Sequence, residues 1–90
     1  MRRTYTVVLE REPEGGFSVH VPALPGCHSQ GETLAEALLM AQEAIEVYVE
    51  ELEAAGEPVP EDVEDVTVST RESDEVIVMK VPVGRKAEVA

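Results

Sequence analysis

The stretch LPGCHSQGETLAEAL, residues 24–38, carries three structural instructions in succession. Pro25-Gly26 suits positions i+1 and i+2 of a type II turn, because proline presets φ and glycine accepts φ > 0. Residues 26–30 then have room for one short strand. Thr33, followed three residues later by Glu36, is a capping-box pattern, in which each side chain satisfies an orphan backbone N–H at a helix start. A strand therefore hands over to a helix at this point. The same stretch sets the only cysteine, Cys27, beside one of two histidines, His28, so it is also the first place to look for chemistry.

Downstream, Leu34, Leu38, Ala41, Ile45, Tyr48 and Leu52 recur at alternating spacings of four and three, one apolar stripe that ends at Gly56 and Pro58. The pattern predicts a helix over 33–55, roughly 34 Å long at 1.5 Å per residue. On its far side Glu36, Glu43, Glu46 and Glu50 form an acidic ridge interrupted by Leu39, Met40 and Val47. These three are either scattered surface apolars, which are common on any protein, or a subunit or partner contact.

Upstream, residues 3–11 read as a strand with Tyr5, Val7 and Leu9 on one face. REPEGG (residues 11–16) supplies a turn, and 16–22 resumes the alternation with Phe17, Val19 and Val21 until Pro22 stops it. The two strands form an antiparallel hairpin. After the helix, GEPVPEDVED (56–65) is a polar connection, 65–70 alternates as a strand, and 75–83 is a strand apolar on both faces. Residues 76–81 therefore sit centrally in the sheet or are covered by a second subunit. Residues 84–90 form a tail. The expected fold is α+β and two-layered, one domain over 1–90, an antiparallel-rich sheet packed on one long helix in the order βββαββ.

At 90 residues the domain hides only about 60–65% of its unfolded surface on folding, so a partner subunit would add stability. Nineteen acidic residues against seven basic ones give a formal charge of −12, which repels phosphate backbones and attracts basic proteins. No direct nucleic-acid contact is expected from this chain alone. No segment approaches the roughly 20 apolar residues needed to span a bilayer. The opening Met1-Arg2-Arg3 leads into polar residues rather than the apolar core of an export signal. A single cysteine fits a reducing compartment, so the expected location is the cytoplasm. The abundance of Glu over Asp, the absence of Asn and the excess of Arg over Lys fit a heat-adapted source.

Each chemical possibility is weak. A cysteine nucleophile needs an imidazole within hydrogen-bond reach, but adjacent strand residues point to opposite faces, and only His20 could approach from the next strand. Cys27 reads as a small core residue. His20, Cys27 and His28 lack the paired spacings of a structural zinc site. Gly15-Gly16 opens a strand rather than a helix and makes no phosphate loop. Asp62 and Asp65 fall in a connection rather than on a strand face, where a two-metal nuclease would hold them. The residues describe a binding domain without a visible active site, metal or cofactor.

Residues 5–60, YTVVLEREPEGGFSVHVPALPGCHSQGETLAEALLMAQEAIEVYVEELEAAGEPVP, resemble the HicB-like antitoxin family. The shared features are a Tyr-led strand, a Gly-Gly-aromatic turn, Val-Pro-x-Leu-Pro-Gly-Cys, a Gln-Gly-x-Thr helix start and Glu-Ala pairs. Pro22, Pro25, Gly26, Cys27, Gly31, Thr33, Glu36 and Ala37 match the family pattern, and the residue-level reading of them is structural. The resemblance implies a partial ribonuclease-H-like fold without nuclease function. It also implies a small basic HicA-like toxin as partner, one that cleaves mRNA and is masked by the antitoxin. Many relatives continue into an operator-binding segment; only seven residues follow Val83, so none is expected here. The expected protein is non-enzymatic, a dimer or tetramer, with Leu39, Met40, Glu43, Val47, Glu50, Val76 and Val78 as its partner or subunit interface. The alternative is a stand-alone homo-oligomer that binds a small ligand or regulates another protein, with no toxin.

Overall fold

The computed structural model describes residues 3–66 and 75–84. Within them the elements run β1 (Arg3–Arg11), β2 (Phe17–His20), β3 (His28–Gly31), α1 (Leu34–Ala54) and β4 (Val76–Val83). One sheet has the order β3-β2-β1-β4, every neighbour antiparallel, and α1 packs on one of its faces. The two-layer α+β architecture is the expected one. The strand expected over 65–70 lies mostly outside the described residues; Asp65 and Val66, which are described, are not in a strand.

Of the two expectations for the apolar strand 76–81, a central place or cover by a second subunit, the described residues do not show the first. Among them β4 pairs with β1 alone, and Val78 is 49% and Met79 36% exposed. The strand buried on both faces is β1, where Tyr5, Thr6, Val7, Val8 and Leu9 are all buried. Thr6 hid this from a reading of alternation, because a polar residue in a strand reads as solvent-facing. It is tolerated inside because it is hydrogen-bonded.

Its partner comes from the connection after the helix. β2 pairs with β1 only from Val8 onward, so the N-terminal half of β1 has an open flank. Residues 57–66 fill it: Val59 and Val63 pack against the core, and the Tyr5 hydroxyl donates to the Pro60 carbonyl. The Asp62 carboxylate accepts from Thr6 N at 2.8 Å, from Thr6 Oγ1 at 2.8 Å and from Lys80 Nζ at 3.0 Å. A side chain thus replaces the missing strand. Burial alone would raise the Asp62 pKa, but the Thr6 and Lys80 hydrogen bonds outweigh it and hold the carboxyl below its ordinary value.

α1 begins as its capping residues require. Glu36 N donates to Thr33 Oγ1 at 3.1 Å, while Glu36 Oε1 accepts from Glu32 N at 2.7 Å, one residue further back than the usual box. The buried line of the helix is Ala37, Ala41, Ile45 and Val49, with Leu34, Leu38 and Tyr48 half-buried beside it. The stripe read from the sequence is centred on this same face, with Ala41 and Ile45 buried and Leu34, Leu38 and Tyr48 packed against the core. Its tightest contact is made by a small residue outside the stripe: a Cβ placed on Gly31 would lie 2.4 Å from Ala37 N and 2.7 Å from Ala37 Cα.

Candidate functional site

The turn and strand before α1 form a joint. Leu24 N donates to Val21 O at 3.0 Å and Cys27 N to Leu24 O at 2.9 Å, giving two consecutive turns with Pro22 and Pro25 at their second positions. Gly26, at φ +83°, takes the position that requires glycine in a type II turn. Tyr48 Oη donates to the Pro25 carbonyl at 2.7 Å, tying the helix to this turn.

Cys27 is buried in the core, and burial pushes its thiol pKa up, the reverse of what a nucleophile needs. His28 is exposed on the opposite sheet face, where the register sets it against His20. The structure thus brings the two histidines into register and separates both from the thiol. Among the described residues, no three His, Cys, Asp or Glu side chains gather in a way that could hold a metal ion.

The surface residues singled out from the sequence fall into separate regions. Leu39, Met40, Glu43, Val47 and Glu50 are exposed on α1, with Leu39 at 55% and Val47 at 54%. Projection at 100° per residue puts Leu39, Glu43 and Glu50 on the helix crest and turns Met40 and Val47 toward β3. There Met40, Glu43, Val47 and Glu51 border an open groove whose other wall is Gly26–Ser29. Val76 and Val78 belong to β4, at the far edge of the sheet. Sequence periodicity identified the helix wall of the groove but not its β3 wall, since the contact is made through tertiary folding. Tyr48, a member of the apolar stripe, and Glu51 also line it.

No helix among the described residues is long and apolar enough to cross a membrane. The charge is unevenly placed: α1 carries Glu36, Glu43, Glu46, Glu50, Glu51 and Glu53 and no basic residue, whereas β4 carries Lys80 and no acidic one.

Comparison with known proteins agrees with this picture. A UPF0150 protein of Synechocystis is 52% identical over 58 residues, covering 64% of this chain and 73% of its own. A UPF0150 protein of Thermoplasma acidophilum is 46% identical over 65 residues, covering 71% of this chain and 94% of its own. Among solved structures, a chain of a Streptococcus pneumoniae toxin-antitoxin complex superposes with a TM-score of 0.77 at 22% identity, over 93% of this chain and 70% of that one, which shows likeness of fold. A chain of a HicA3 and HicB3 toxin-antitoxin complex gives 0.65 at 25% identity, over 91% and 99%. The N-terminal domain of Burkholderia pseudomallei antitoxin HicB gives 0.61 at 27%, over 84% and 94%. The family model described as HicB_like antitoxin of bacterial toxin-antitoxin system matches residues 5–87, and the chain belongs to that family.

Proposed function

We propose that this protein is an antitoxin that binds a small basic toxin and masks its RNA-cleaving surface. The observation that carries the reading is the likeness over almost the whole fold to a chain of a HicA3 and HicB3 complex. The chemistry supports it. A protein at −12 with six glutamates on one exposed helix offers the field that a phosphate backbone would otherwise offer to a basic surface, so antitoxin and RNA compete for the same charge. The chain's part is stoichiometric occlusion, not catalysis.

The test is recovery of the tagged chain from its own cells at about 0.1 M and about 0.5 M salt, where screening lengths differ more than twofold. The expected result is a small basic protein in near-equal amount, retained less well at the higher salt. Return of the chain alone, under conditions in which the cells make the basic protein, would favour a stand-alone ligand-binding or regulatory role.

Self-association belongs to the same proposal and uses the other edge of the sheet. Two acidic copies repel, and β4 has no acidic residue, a half-exposed Val78 and an outer edge that no described residue pairs with. Val78→Asp is expected to reduce the solution mass to that of one chain. An unchanged oligomeric mass would remove β4 from the interface.

A further inference from the structure

The groove between α1 and β3 has one wall of side chains and one of backbone. Among the described residues β3 pairs only with β2, and none of them covers its outer edge. Val21 N donates to Cys27 O at 3.1 Å, which fixes the phase of the ladder. In an antiparallel pair bonded and non-bonded residues alternate, so Val19 with Ser29 and Phe17 with Gly31 exchange bonds. The N–H and C=O groups of His28 and Gln30 therefore point away from β2, and both residues are exposed. They present the pairing positions that a fifth strand would use.

The helix wall sets what such a strand would carry. Glu43, Val47 and Glu51 follow one another at intervals of four residues along the groove, which places them at roughly 0, 6 and 12 Å along the helix axis. Residues i, i+2 and i+4 of a strand share one face and advance by about 6.6 and 13 Å. An extended segment with the pattern basic-x-apolar-x-basic would set its cations against Glu43 and Glu51 and its apolar side chain against Val47 and Met40. A second copy of this chain is the wrong occupant, because none of its described strands carries two basic residues four positions apart.

We propose that the α1–β3 groove takes an extended basic-x-apolar-x-basic segment of a protein partner, added to the free edge of β3 as an outer strand. The choice of a basic partner rests on the antitoxin reading. The geometry of docking is carried by the edge and by the spacing of the groove side chains.

The test uses the full chain and two synthetic peptides of one composition. One has the sequence Thr-Arg-Thr-Val-Thr-Arg-Thr; the other has its two arginines moved next to each other. Binding is followed by backbone amide shifts and hydrogen exchange. The alternating peptide is expected to bind at least about tenfold more tightly than the permuted one and to slow exchange at His28 and Gln30. Gln30→Pro removes an outward N–H while leaving the β2 ladder intact, and is expected to cost about tenfold in affinity with the circular dichroism spectrum unchanged. Equal binding of the two peptides, no detectable binding, or protection confined to other residues would overturn the docking mode. These outcomes are separable from those of the antitoxin test. A basic protein recovered from cells together with failure of the peptide test removes this surface and leaves the function. Peptide docking with no such protein recovered does the reverse.

Discussion

Gly31→Ala is expected to destabilise the fold more than any other single-methyl addition among the described glycines. The added Cβ would lie 2.4 Å from Ala37 N, 2.7 Å from Ala37 Cα and 2.8 Å from Glu36 C. All three are backbone atoms of the first helical turns, so no flexible side chain can yield, and α1 itself must move off the sheet. Overpacking of this kind costs about 1–3 kcal/mol and more where backbone must shift. Domains of this size have total stabilities of roughly 5–13 kcal/mol, so a loss of about 3 kcal/mol should lower Tm by more than about 10 °C. Gly26→Ala is the useful contrast, because nothing lies within 4 Å of its Cβ position and only its φ of +83° opposes the change. That conformational cost is about 1–2 kcal/mol. Thermal melts of the two variants should therefore separate clearly; equal losses would mean that the β3–α1 contact is not the tight one.

The second large effect is expected at Asp62. Asp62→Ala removes the acceptor for Thr6 N and Thr6 Oγ1 and leaves a buried backbone donor unpaired on the open flank of β1. An unsatisfied buried donor costs about 1–3 kcal/mol, and bonds to a charged acceptor lie in the upper part of that range. The connection 57–66 should loosen as well, which hydrogen exchange at Thr6 would report. The pH dependence has a definite sign. Because the folded-state pKa of Asp62 is depressed, its contribution is fully present above the unfolded value of about 3.9 and is lost as pH falls through the lower folded value. In wild type, stability should fall on acidification below about pH 4, and Asp62→Ala should fall less steeply over that window. Parallel acid profiles would show that the carboxylate is not the latch.

These two positions mark where the sequence was opaque. The hairpin, the Pro25-Gly26 turn and the Thr33 cap were readable because each is set by residues within a few positions of one another. Asp62 acts on Thr6, 56 positions away, and nothing in its neighbourhood distinguishes it from Asp65. Gly31 was visible as a family-motif residue, but its role lies in a contact across two elements that only folding creates. The buried face of α1 was readable, since Leu34, Leu38, Ala41, Ile45 and Tyr48 all lie in or against the core. Ala37 at its tightest contact was not, because periodicity weights large apolar residues. For β4 the sequence left two readings open, a central strand or one covered by a second subunit, because apolarity on both faces does not say what covers it; among the described residues only β1 pairs with it.

The candidate site divides in the same way. The acidic, apolar-dotted crest of α1 was readable from projection alone, and so was the failure of Cys27 and His28 to form a pair. The groove beside β3 was not, since its backbone wall is defined by strand order. It lies at the opposite end of the described sheet from β4.

In the proposed role this chain blocks a toxin by covering its RNA-binding surface. The most direct measurement is cleavage of an mRNA by the basic protein recovered with the chain, assayed alone and with an equimolar amount of the chain added back. Cleavage alone and protection in the equimolar mixture, reversed when Glu43→Lys and Glu51→Lys are introduced together, is the predicted result. Undiminished cleavage with both proteins in a stable complex would contradict it.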